Sequence, residues 1–194
     1  MSGCRRNSGA DQFHVLRAAR HLRAGGLVAH ATEGVWGLAC DPFDGRAVAR
    51  LLEAKGRDPG KGLIVIGADP SHFEPELAGL SEVNRRAVQA SWPGAVSWLV
   101  PNARFPWWIS GAGSPGPGRV AIRVPGHAQS RAICAAFGGP LVSTSANPSG
   151  RPSTANELHV RRWFHATVDY VVPGRTSARN RPSELRTLDG TVLR

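Results

Sequence analysis

Residues 139–150 read GPLVSTSANPSG. Leu141 and Val142 begin an apolar strand, and Ser143, Thr144, Ser145 and Asn147 follow as a run of hydroxyl and amide groups without charge. Loops past strand ends are where an α/β sheet gathers ligand contacts, because the sheet holds them rigidly. The structural alternative for this segment is a turn whose hydroxyls bond their own backbone. Upstream, His127 to Phe137 repeats its apolar residues at helical spacing, and before it RVAIRVP at 119–125 alternates as a strand.

The same alternation continues in both directions. Toward the N-terminus, Val15, Ala18, Ala19 and Leu22 make a helical face that stops at Gly25–Gly26, and LVAHA at 27–31 reads as a strand. Asp44 is placed to cap a helix, GRAVARLLEAK, with Val48, Leu51 and Leu52 on one side. GLIVIGA at 62–68 is a near-continuous apolar run, which predicts a strand buried on both faces. Ser81 caps a helix to about Ser91, AVSWLVP at 95–101 is a strand, and ISGAGSPGPG is a flexible loop. Toward the C-terminus, Thr154 and Glu157 have capping-box spacing, predicting a helix over 154–165, and YVVPG and TVLR are short closing strands. The expectation is an α/β (α+β) fold, with residues 1–10 flexible and 11–194 a single domain.

Composition narrows the function. A chain of 194 residues suits one domain. No apolar run approaches the ~18 residues of a membrane-spanning helix, and no secretory signal follows the first arginines, so a cytoplasmic protein is expected. Cys4, Cys40 and Cys134 lack CxxC spacing, which argues against a disulfide framework or zinc site. The seven histidines are scattered and most read as surface or helix residues. The net charge of +10 calls for an anionic ligand or partner. All the basic residues are arginine except Lys55 and Lys61, which share the segment AKGRDPGKGLIVIGA. A compact ammonium differs from a planar guanidinium in size and hydrogen-bond geometry, so the two lysines mark a place where arginine would not serve. Phosphate-loop, dinucleotide-binding, HExxH and GxSxG signatures are absent from the sequence.

The remaining polar clusters sit at strand ends, at 30–42, 55–62, 119–124, 143–150 and 179–186. Lys55, Arg57, Arg119 and Arg123 supply charge, and Ser143, Thr144, Ser145 and Asn147 supply neutral donors. Together they describe a pocket for phosphate and carboxylate. Strand alternation puts Arg119, Ala121 and Arg123 on one face. Two guanidiniums there repel unless an anion or a carboxylate offsets them.

The segments ATEGVWGLACDP, AKGRDPGKGLIVI, SWPGAVSWLVP, RVAIRVPGH, GPLVSTSANPSG and PSELR follow one another as in the threonylcarbamoyl-AMP synthases. The chain resembles this YrdC-like family over nearly all of residues 14–194. The resemblance implies a twisted mixed sheet flanked by helices around a concave basic cavity. It implies a nucleotidyltransferase that condenses L-threonine, bicarbonate and ATP, with Mg²⁺ accompanying the ATP, into threonylcarbamoyl-adenylate and pyrophosphate. The product would serve N6-threonylcarbamoyladenosine formation at position 37 of tRNAs reading ANN codons, through separate transfer proteins.

By motif, Lys55 and Arg57 form a KxR pair on the triphosphate, and Ser145 and Asn147 an SxN pair on the nucleotide; these four are the expected catalytic residues. Arg119, Ser153 and Arg194 would also bind ATP. Thr32, Ser143 and Ser183 would bind threonine, with Arg123 on its carboxylate. The chain departs from the family pattern at Ala31, where proline usually precedes the threonine, at Asp58, which moves a proline to Pro59, and at Arg181 in the tail. Two rival functions follow from the same likeness. One is a module of this fold that binds double-stranded RNA, tRNA or ribosomal RNA without adenylation. The other is the related domain of hydrogenase-maturation carbamoyltransferases, which the length and the lack of CxxC oppose.

Overall fold

A computed structural model of the chain describes residues 9–111, 118–177 and 183–193. In chain order the elements are α1 (Gly9–Arg23), β1 (Val28–Ala31), β2 (Trp36–Cys40), α2 (Gly45–Lys55), β3 (Ile64–Ile66), α3 (Glu74–Leu77), α4 (Glu82–Ala90) and β4 (Val96–Pro101). They continue with α5 (Trp107–Ser110), β5 (Arg119–Arg123), α6 (Ala128–Phe137), β6 (Leu141–Ser145), α7 (Glu157–Phe164), β7 (Tyr170–Val171) and β8 (Glu184–Thr187). The segment expected to be flexible at the N-terminus lies outside the described residues, apart from Gly9 and Ala10, which open α1. Residues 112–117 of the glycine-rich loop lie outside them as well.

Local chemistry explains the clearest elements. Asp44 caps α2 by accepting from the Arg46 and Ala47 N–H groups, and Gly56 closes it at a φ of 58°. That left-handed conformation costs glycine little and other residues more. Ser81 caps α4 as its sequence predicts.

Three expectations need correction. Trp36–Cys40 is a strand, not part of a polar loop; all five residues are buried, so the alternation that would betray a half-exposed strand is missing. Helix α7 starts at Glu157, capped by Asn156 rather than Thr154. The Thr154 hydroxyl instead accepts from the Asn156 N–H at 3.0 Å and meets His159 Nδ1 at 3.1 Å. The closing strand is Glu184–Thr187 and not TVLR; of the latter, Val192 makes one isolated bridge to Arg186.

The eight strands form one mixed sheet in the order β7-β1-β2-β6-β3-β5-β4-β8. Pairs β1–β7, β3–β5 and β4–β8 are parallel and the others antiparallel. Its two faces have different fates. One buries Ala29, Leu38, Val65, Trp98, Ile122 and Val142 against Val48, Leu51 and Leu52 of α2, Val88 of α4 and Val160 and Phe164 of α7. On the other, Val28, Ala39, Ile66 and Leu141 pack under Val15, Ala18 and Leu22 of α1 and Ile133 and Cys134 of α6. Beyond α1 and α6 this second face turns polar.

Candidate active site

Register builds the polar region. His30 lies opposite Gly37 across β1–β2, and Gly37 opposite Ser145 across β2–β6. Residues directly opposite share a face, and Ser143 joins them by alternation. On the next strands Ile64 pairs with Ala121 and Ile66 with Arg123, so the arginines of β5 reach the same face, as their alternation predicts. The result is a cavity of about 290 Å³. Of the expected site residues, Thr32, Arg57, Arg119, Arg123, Ser143, Ser145 and Ser183 line it, together with Glu33, Lys61 and Ser130. Ser153 lines a neighbouring cleft of about 800 Å³ that shares the Gly34–Trp36 wall. Arg194 lies outside the described residues.

Lys55 and Asn147 stand behind the cavity rather than on its wall. The Lys55 ammonium donates to the main-chain carbonyls of Ser145 and Asn147, the latter at 2.7 Å. In return the Ser149 N–H donates to the Lys55 carbonyl at 2.6 Å. The KxR and SxN segments are therefore joined, although about 90 residues separate them. Burial, and next the charge of Arg57, push the Lys55 pKa down to about 8. The Asn147 side chain donates to the Arg151 carbonyl at 2.6 Å, leaving its Oδ1 buried without a partner.

The wall residues are held in place as well. Arg57 donates to the Gly62 carbonyl at 2.9 Å. The Thr32 hydroxyl donates to the Val35 carbonyl at 2.6 Å, closing the β1–β2 turn. Ser183 shares a hydrogen bond with Ser97 at 3.1 Å. Arg123 donates to Glu33 Oε2, and the other carboxylate oxygen accepts from the Gly126 N–H. The carboxylate that the paired arginines require thus comes from Glu33.

His30 is the histidine that departs from the surface reading. The residue is 1% exposed. Nδ1 lies 3.1 Å from the Ala31 carbonyl, which assigns the proton to Nδ1 and leaves Nε2 as a buried acceptor without a partner. Burial, reinforced by His127, depresses its pKa to about 4, so the ring is neutral near pH 7. A Cβ on Gly37 would meet Ser143 Oγ at 3.2 Å, His30 Nε2 at 3.3 Å and Thr32 Cγ2 at 3.4 Å. Sequence reasoning gave no role to Glu33 or His30. The repulsion between Arg119 and Arg123 was the available signal for a carboxylate, but not for its position.

The profile described as telomere recombination, Sua5_yciO_yrdC, matches residues 20–194. The chain belongs to the Sua5/YciO/YrdC family. Within this family, the threonylcarbamoyl-AMP synthase of Halorhodospira halophila is 46% identical over 179 residues, covering 92% of each chain. That of Cellvibrio japonicus is 46% identical over 182 residues, covering 93% of this chain and 94% of its own. The crystal structure of P. abyssi Sua5 complexed with L-threonine superposes with a TM-score of 0.86 at 29% identity, over 94% of this chain and 54% of that one. This chain thus spans about half the length of that Sua5 chain. The mixed sheet with flanking helices expected from the resemblance is the family's fold.

Proposed function

We propose that this chain condenses L-threonine, bicarbonate and ATP into threonylcarbamoyl-adenylate, releasing pyrophosphate. The observation that carries the reading is the convergence of Arg57, Arg119 and Ser145 with Thr32, Arg123, Ser143 and Ser183 on one cavity. The 46% identity to threonylcarbamoyl-AMP synthases over nearly the whole of both chains supports it.

The chemistry suits such a wall. The neutral threonine amine bonds to the bicarbonate carbon as a carbon–oxygen bond breaks and water leaves, giving a carbamate, already an anionic oxygen nucleophile. Its oxygen bonds to the α-phosphorus while the bond to the bridging oxygen of pyrophosphate breaks, so adenylation needs no strong general base. Alignment of the two reactants can supply ~7–11 kcal/mol of the barrier. Cations and fixed donors on the departing phosphates supply a few more. Arg57 and Arg119 are assigned to the nucleotide, with Ser153 and Arg194 as further ATP contacts. Lys55 acts through the Ser145–Asn147 turn, which it holds by its carbonyls and which presents the Ser145 side of the wall to the nucleotide. Arg123 takes the threonine carboxylate, with Thr32, Ser143 and Ser183 around the amino acid.

Among the described residues no group of three or more His, Cys, Asp or Glu residues could hold a metal ion. The Glu33 carboxylate on the cavity wall is already engaged by Arg123 and Gly126. Mg²⁺ entering with ATP would be held mainly by the phosphates and water and would supply neutralisation of phosphate charge beside Arg57 and Arg119.

The product goes to tRNA through separate transfer proteins, and the charge of +10 favours contact with RNA phosphates. No helix among the described residues is long and apolar enough to cross a membrane; the proposed use of ATP and tRNA supports a cytoplasmic reaction. The test is pyrophosphate release by the purified chain with RNA omitted. Release that requires threonine, bicarbonate and ATP together, with a product of threonylcarbamoyl-AMP mass, is expected. An RNA-binding module of the same fold would release none.

A further inference from the structure

The cavity wall carries four cations, Arg57, Lys61, Arg119 and Arg123, which suits phosphates and a carboxylate. It does not suit the other charged group of a free amino acid. An α-ammonium entering among four cations is repelled unless a carboxylate meets it. Among the described residues of the wall, Glu33 alone is acidic.

Glu33 is well placed for that work. It follows Thr32 on the β1–β2 turn, and its side chain is 13% exposed. One oxygen accepts from Arg123 and the other from the Gly126 N–H. These two bonds fix the carboxylate, yet a carboxylate accepts at about four lone-pair positions, so acceptor capacity remains on a residue of the cavity wall. Arg123 and Glu33 thus present a positive and a negative group side by side. In an α-amino acid the carboxylate and the ammonium sit on one carbon. A substrate whose carboxylate bonds Arg123 brings its ammonium toward the adjoining Glu33.

We propose that Glu33 is a substrate-recognition residue that accepts the α-ammonium of the amino acid, so that the Glu33–Arg123 pair reads a zwitterion. The inference rests on the amino-acid substrate proposed above and adds the group that selects a free amine. Because the amine must lose its proton before it reacts, Glu33 serves binding more than turnover. Its loss raises KM while kcat changes little.

The experiment compares the wild type with Glu33→Gln, which keeps the shape of the side chain, and with Glu33→Asp. Pyrophosphate release gives KM for threonine and for ATP. Calorimetric titration gives the affinity for threonine and for 2,3-dihydroxybutanoate, which carries a hydroxyl in place of the ammonium. For Glu33→Gln the expected result is a threonine KM raised about tenfold or more, with kcat and the ATP KM within about threefold. The preference for threonine over 2,3-dihydroxybutanoate shrinks by the same factor, and Glu33→Asp restores part of it. The inference is overturned if the threonine KM is unchanged. It is also overturned if both ligands weaken in equal proportion, because Glu33 then acts only by holding Arg123. A wild type that neither binds threonine nor releases pyrophosphate overturns the function proposed above. A wild type that does both, beside a Glu33→Gln that matches it, overturns the role of Glu33 alone.

Discussion

The Lys55 ammonium lies 2.7 Å from the Asn147 carbonyl and also donates to that of Ser145, so the end of α2 is tied to the turn after β6. Removing this brace leaves two carbonyls without their donor, at ~1–3 kcal/mol each where no water replaces it. Lys55→Ala is expected to lose more than ~100-fold in pyrophosphate release, in line with the loss of a fixed charge and its positioning. Lys55→Arg is expected to fail too, because a planar guanidinium does not fit the place of a compact ammonium between two carbonyls. Steady-state assays of both variants decide it; near-normal turnover in Lys55→Ala would contradict the brace.

His30 makes stability depend on pH. Its folded-state pKa of about 4 lies below the ordinary 6.5. The unfolded chain therefore binds a proton first as pH falls, and stability present above pH 6.5 is lost toward pH 4. The full difference amounts to ~3 kcal/mol. Urea unfolding of the wild type and His30→Gln at several pH values between 6.5 and 5 measures it. The wild type is expected to lose stability more steeply over that window; parallel curves would show that His30 does not carry the effect.

Gly37 keeps the floor of the cavity open. Its φ is not in the left-handed region, so alanine is sterically possible for the backbone, and the cost falls on its neighbours. The added methyl would press on Ser143, His30 and Thr32 at 3.2–3.4 Å. Gly37→Ala is expected to raise the threonine KM several-fold, with a melting temperature within a few degrees of the wild type. An unchanged KM would show that these three side chains move aside freely.

Asp44 offers the opposite pattern, stability without activity. Its carboxylate caps α2 through Arg46 and Ala47, and Asp44→Ala is expected to cost ~1 kcal/mol. Thermal unfolding checks the loss, and kcat/KM for threonine should stay within a factor of two. A large fall in kcat/KM would mean that the start of α2 controls the site.

What could be read from the sequence was local. Asp44 and the Val48–Leu51–Leu52 face specify α2 within a dozen residues, and the alternation in RVAIR gives the facing of Arg119 and Arg123 without any partner in view. β2 escaped because a strand buried on both sides carries no alternation, and Gly34 and Gly37 punctuate it like a loop. The capping-box spacing of Thr154 and Glu157 misled because Asn156 lay nearer to the first free N–H groups. Among the site residues, the family likeness named Arg57, Arg119, Arg123 and Ser145, which share the cavity. It gave no hint that Lys55 would turn away to hold a main-chain turn. The Glu33–Arg123 pair was out of reach, since it joins positions 90 residues apart through a register that only the folded sheet sets.

The central claim, one cavity that holds a nucleotide beside an amino acid, is tested most directly by a crystal structure of this chain with a non-hydrolysable ATP analogue and L-threonine. The expected result is nucleotide phosphates against Arg57, Arg119 and the Ser145–Asn147 turn, with threonine against Arg123 and Thr32 within reach of the α-phosphate. Nucleotide and threonine bound at separate places, or phosphates seated away from Arg57 and the Ser145–Asn147 turn, would contradict it.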